Sequence, residues 1–223
     1  MTSSAAPPRA HEVAAQLRRA IGDGVYTSGE RLTELGISQE LSVSQSTARD
    51  ALWLLEHEGW VARSARRGVF VRSFTADEAE EIFDLWAIVE GAAFDWMTDH
   101  ITRADAIERL RLPIQAADGA LKENRWLESW HALMQFHAEI AEASKRTHTR
   151  ETLGRLRNYV CLMEIEYEFN RPRSTSDRLK RLESYEQLLG LIKFGTSEEA
   201  QKALSERIRE DGKEIIRWLA MHG

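Results

Sequence analysis

The stretch from Leu32 to Val71 constrains this chain more than any other. Leu41-Ser42-Val43-Ser44 reads as a tight turn between two helices. The second helix opens with the polar run Gln45, Ser46, Thr47, Arg49 and Asp50. Its apolar residues Ala48, Leu52 and Leu55 recur every three or four positions, which places them on one buried face. After Gly59 come two short alternating runs, Trp60–Arg63 and Val69–Arg72. They flank Ser64-Ala65-Arg66-Arg67-Gly68, a basic turn with glycine where a positive φ is tolerated. Helix, turn, helix and an arginine-tipped hairpin form the layout of a winged helix-turn-helix, whose second helix enters the DNA major groove.

The residues before this stretch fit the same layout. Val13, Leu17 and Ile21, four apart within His11–Ile21, predict an amphipathic first helix that Gly22 and Gly24 end. Tyr26 to Leu32 reads as a loop, with Thr33 and Ser44 placed to cap the two helices that follow. Thr75-Ala76-Asp77-Glu78 is a capping box that opens a long helix after a joint at Ser73-Phe74. From there the pattern is helical throughout, over about 76–100, 103–122, 126–144, 149–170, 176–194 and 197–221, with Thr102 as a cap and Pro113 as a kink. The expectation is a mainly α chain: a winged helix-turn-helix over 1–74, with three helices and a β-hairpin wing, then an all-α bundle of about six helices over 75–223.

Charge bears on the partner. The whole chain carries −6, which argues against nucleic acid, but the charge is unevenly spread. Residues 1–73 hold nine arginines against eight acids, and the remainder holds 21 basic and 28 acidic residues. A local arginine cluster grips phosphates weakly and with strong salt dependence, a weakness that two copies in a dimer remedy. The lone Cys161 forms no internal disulfide and reads as a helix core residue, which suits a cytoplasmic protein. No apolar run reaches a membrane span, and MTSSAAPPRA lacks the apolar stretch of a signal peptide and reads as a loose arm. No Cys/His cluster, paired carboxylates, phosphate loop or serine elbow points to an enzyme.

Several motifs together resemble the GntR family of bacterial transcription regulators. They are Gly29-Glu30-Arg31-Leu32-x-Glu34, Val43-Ser44 with Arg49-x-Ala51-Leu52, Leu55-Glu56-x-Glu58-Gly59-Trp60-Val61, and Arg67-Gly68-Val69-x-Val71. The helical part, with Thr75-x-x-Glu78 and Glu90 of DLWAIVE, resembles the FCD (FadR C-terminal) effector domain. The resemblance implies a homodimer on a palindromic double-stranded operator, with repression as the usual outcome, and a small organic acid bound in the helical domain. DNA contacts are then expected at Arg31, Ser44, Gln45, Ser46, Thr47, Arg49, Arg66, Arg67 and Gly68. The family usually has Arg-Thr-Pro after the Ser44 position, whereas this chain has Gln45-Ser46-Thr47. Glutamine pairs with an adenine edge where arginine prefers guanine.

The effector domain departs further. Many FCD domains bind a divalent metal through one Asp and three His, and the corresponding positions here are Leu133, His137, Tyr185 and Arg207. One retained ligand in four implies no metal, and His131 lies off the His137 face. Arg207 has two readings. Its guanidinium anchors an acidic effector directly, with hydrogen bonds from His137 and Tyr185, or it pairs with Glu90, Glu164 or Glu186. Trp86 stands where the family usually has an arginine, and so becomes an apolar wall. Trp130, Met134 and His137 share one helical stripe, which serves either the core or a pocket for a flat or apolar carboxylate. The rivals left open are a constitutive regulator with a degenerate pocket, a metal-dependent regulator, a helical-bundle enzyme and a protein-interaction module.

Overall fold

A computed structural model describes residues 8–65 and 67–222, without the side chains of Pro8, Asp99, His100 and Arg103. Arg66 and residues 1–7 of the expected N-terminal arm lie outside the described residues, while Pro8–Ala10 of that arm are helical instead of loose. The chain divides into two compact units. One comprises the residues up to Phe74 together with Asn158–Asn170, and the other comprises Thr75–Arg157 with Arg171–Gly223.

In the first unit, α1 (Pro8–Gly22) packs on α3 (Gln45–Glu58), and α2 (Glu34–Glu40) packs across α3. Val13, Leu17 and Ile21 of α1 meet Ala48, Leu52 and Leu55 in a shared core, all at most 3% exposed. Thr33 Oγ1 accepts from Gly36 N at 3.0 Å to cap α2. Gly59 ends α3 with φ 89°, a left-handed conformation that glycine adopts without Cβ strain. The wing strands are β2 (Val61–Ser64) and β3 (Gly68–Val71), paired antiparallel with Val61 opposite Val71 and Ser64 opposite Gly68.

Two features differ from the sequence expectation. Arg31–Leu32, read as loop, forms a strand, β1, on the free edge of β3, so the sheet runs β1-β3-β2. Helix α1 also starts at Pro8, three residues before His11, because proline is tolerated in a first helical turn, where its missing N–H has no partner to lose.

The second unit is helical among the described residues. It contains α4 (Ala76–His100), α5 (Arg103–Lys122), α6 (Trp126–Ala143), the first part of α7 (Thr147–Asn170), α8 (Thr175–Phe194) and α9 (Ser197–His222). Thr75 and Glu78 form the reciprocal capping box, and Thr102 Oγ1 caps α5 by accepting from Asp105 N at 3.1 Å. Pro113 removes one rung from α5 without ending it. The main pairs are α4 with α9, α5 with α6 and α8, and α4 with α6. Along α4 and α9, Gln201 Nε2 donates to Gly91 O at 3.1 Å and Ser205 Oγ to Ala87 O at 3.2 Å. At Gly212 the helices approach so closely that a Cβ would lie 2.6 Å from the Phe83 ring.

The last turns of α7 belong with the first unit. Asn158 Nδ2 donates to Glu58 O at 3.0 Å, closing the end of α3. The Arg72 guanidinium sits 4.5 Å from the Tyr159 ring centroid, and Phe74 lies against the same ring at 5.3 Å. Gly24, at φ 74°, lies against the edge of the Phe169 ring. Periodicity identifies α7 as a helix and does not reveal this grouping.

Candidate DNA-reading face and ligand site

The DNA-facing candidates fall into two sets within the first unit. At the start of α3, Ser44 Oγ accepts from Thr47 N at 3.1 Å and lies 2.8 Å from both Ser46 Oγ and Thr47 Oγ1. This cap leaves Gln45 and Ser46 exposed on the first turn, while Thr47 is half-buried. Arg49 follows on the exposed side and is held by Glu34 of α2 in a two-pronged pair, Nε to Oε1 at 2.9 Å and Nη2 to Oε2 at 2.7 Å. The hydrogen bond from Arg49 holds the Glu34 carboxyl below its ordinary range. Glu34 thus aims the arginine, a role that the sequence motif contained but did not announce. The second set is at the sheet: Arg67 is exposed, and the Arg31 guanidinium lies over Gly68, whose φ of 111° favours glycine. Trp53, 57% exposed and stacked on His57, continues the α3 ridge and carried no motif signal.

In the second unit the positions expected for an effector converge in a buried cluster. Trp86 Nε1 donates a short hydrogen bond to Glu90 Oε2. Glu90 Oε1 lies 2.6 Å from His137 Nδ1, and His137 Nε2 lies 2.8 Å from the Tyr185 hydroxyl. With Glu90 as carboxylate, His137 donates through Nδ1 and accepts the Tyr185 proton at Nε2. Trp86 also packs edge-on to His137 at 4.7 Å, so it is a hydrogen-bond donor as well as the apolar wall expected of it. Burial first, and the nearby Asp211 charge second, push the Tyr185 hydroxyl well above its ordinary pKa.

Arg207 lies over the Tyr185 ring at 4.8 Å. Its charge partner is none of the three glutamates considered. Nη2 donates to Asp211 Oδ1 at 2.7 Å, one turn along the same helix, and Glu90 is already engaged by Trp86 and His137. Arg181 Nε approaches the same Asp211 oxygen at 3.1 Å, while its guanidinium stacks 4.9 Å over Trp130. Burial pulls the Asp211 carboxyl upward, but Arg181 and Arg207 outweigh it and hold it below the usual range. Two buried donors beside this pair, Arg207 Nε and Trp130 Nε1, have no acceptor. Met134 is buried one turn after Trp130.

These residues do not fit a divalent metal. Leu133 offers no donor, both His137 nitrogens are committed, and Arg207 brings a positive charge to the fourth position. Among the described residues no three His, Cys, Asp or Glu side chains converge to hold one.

A winged helix-turn-helix joined to an all-helical domain defines the DNA-binding transcription regulators of two-part design. Residues 9–71 match the bacterial regulatory proteins of the gntR family, and residues 81–210 match the FCD domain. The chain belongs to the GntR family of transcription regulators and carries an FCD domain. It is similar to YdhC, an HTH-type transcriptional regulator of Bacillus subtilis (strain 168), with 26% identity over 153 residues and 67% of each chain. The gluconate operon transcriptional repressor of Bacillus licheniformis is 37% identical over 83 residues, 37% of this chain and 34% of its own. A GntR transcriptional regulator of Rhodococcus sp. RHA1 shares the fold with a TM-score of 0.80 at 25% identity, over 94% of this chain and 98% of its own. No described helix is long and apolar enough to cross a membrane.

Proposed function

We propose that this regulator is a cytoplasmic homodimer that represses from a palindromic operator and releases it on binding a small carboxylate in its helical domain. The start of α3, from Ser44 to Arg49, reads bases, and Arg31, Arg66, Arg67 and Gly68 hold the backbone. The observation that carries the effector assignment is the pair of buried, unpartnered donors Arg207 Nε and Trp130 Nε1 beside the Arg207–Asp211–Arg181 cluster. A buried N–H without an acceptor is costly, and a carboxylate oxygen relieves that cost. Trp86, Met134, His137 and Tyr185 complete the walls. Exposed Leu85 and Ile88 on α4 support an apolar dimer face, and the similarity to a gluconate operon repressor supports repression. Binding would change the separation of the two recognition helices, so that they no longer match the half-site spacing.

The test is thermal melting of EDTA-treated protein against a panel of carboxylic acids, with and without divalent metals, for wild type and Arg207→Ala. The expected result is stabilisation by an acid without metal, lost in the variant. An unchanged acid response in Arg207→Ala refutes the anchor. A second reading, constitutive DNA binding, draws on the closed Trp86–Glu90–His137–Tyr185 chain, whose hydrogen bonds need no ligand. Operator affinity unmoved by any acid in the panel would favour it.

A further inference from the structure

The helical unit contains a cavity that shares no lining residue with the polar cluster. It has a volume of about 200 Å³ and lies among the end of α4, the start of α5, the end of α8 and the start of α9. Its floor is apolar and deeply buried: Phe94, Met97, Ala106, Ile192 and Ala200 are at most 5% exposed. Its mouth carries the exposed Thr98, Thr196 and Ser197. Two of these hydroxyls are committed. Thr98 Oγ1 donates to Asp95 O at 2.7 Å, and Thr196 Oγ1 accepts from Glu199 N at 3.2 Å while lying 3.0 Å from Glu199 Oε2.

We infer that this cavity is a second ligand site, for a small neutral molecule built on a single aromatic ring. The floor side chains Phe94, Met97, Ala106, Ile192 and Ala200 offer no hydrogen-bond partner to water, which needs two to four, and apolar cavities of about 150 Å³ accept benzene-sized guests. A ring of matching volume would make dispersion contacts along the whole apolar lining. Phe94 and Met97 favour an aromatic guest, through edge-to-face packing and a thioether contact. Among the described residues no charged side chain lines the cavity, so a carboxylate would find no counter-charge among them. One hydroxyl on the ring would meet Ser197 at the mouth.

The experiment uses the full chain with phenol as probe and benzoate as its charged counterpart, followed by thermal melting and calorimetric titration. Phenol is expected to raise Tm saturably, by roughly 3–6 °C at a ten-fold excess over Kd. Thr98→Phe, an exposed plug that leaves the core intact, and Ala200→Leu, which fills the floor, should each abolish the phenol response. Arg207→Ala should retain it, which separates this site from the proposed carboxylate anchor. A phenol response that is absent in wild type, that survives both plugging variants, or that disappears in Arg207→Ala overturns the inference. Loss of the benzoate response alone bears only on the anchor.

Discussion

Replacing Asp211 by alanine tests the electrostatic core of the helical unit. The carboxylate is 8% exposed and receives Arg207 at 2.7 Å and Arg181 at 3.1 Å on a single oxygen. Both guanidinium side chains are themselves only 11–12% exposed. Deleting the anion leaves two cations close together in a low-dielectric setting, and breaking a buried pair of this kind costs about 3–5 kcal/mol. For a chain of this length that corresponds to a fall in Tm of roughly 6–20 °C, followed by circular dichroism. Asp211→Ala with Arg207→Met should recover part of the loss, because one of the two like charges is then gone.

The sign with pH follows from the same contacts. The folded carboxyl is held below its ordinary pKa of about 3.9, so its contribution is present above that value and is lost as pH falls through the lower folded value. Asp211→Asn should therefore be less stable than wild type at neutral pH and should lose the part of the acid dependence that lies below about pH 4. A Tm change under about 4 °C for Asp211→Ala would refute the reasoning, since an exposed pair could account for that much.

Other outcomes follow from single contacts. Arg49→Ala should weaken operator binding on the order of ten- to a hundred-fold in a mobility-shift titration while leaving Tm nearly unchanged, since the residue is exposed. Gln45→Arg should shift the selected base at one half-site position from adenine toward guanine, read by selection from a random DNA pool. Gly212→Ala should destabilise the helical unit by about 1–3 kcal/mol through collision with Phe83, with partial rescue by Phe83→Leu in the double variant. Tyr185→Phe should cost about 1–3 kcal/mol by stranding His137 Nε2, measured by urea titration.

Much of the fold was legible because its signals are local. The caps at Thr33, Ser44, Thr75 and Thr102 each depend on residues within one turn, and Gly59 and Gly68 mark positions where the backbone must adopt positive φ. Strand β1 escaped because two residues carry no period, and its pairing with β3 spans nearly forty residues of sequence. The grouping of Asn158–Asn170 escaped because residues 160–165 are buried all round the helix, which erases the amphipathic cue to a partner. At the candidate site, the convergence of His137, Tyr185 and Arg207 was legible only through the family resemblance. The pairing of Arg207 with Asp211 is an i,i+4 spacing along one helix, which sequence alone does not rank above glutamates on other helices.

The substitutions at the family's metal positions make sense as a set rather than one at a time. A metal site concentrates anionic and neutral donors and supplies positive charge from the ion. In this chain Leu133 and Tyr185 contribute no ligand charge, and Arg207 supplies the positive charge covalently. Asp211 and Arg181 then settle the local balance, and His137 turns both nitrogens to protein partners. Under the proposed reading, Arg207 Nη2 is held by Asp211 and Nε is the donor left to orient an oxyanion. On that reading no metal takes part, and chelators should leave the acid response untouched in the melting assay.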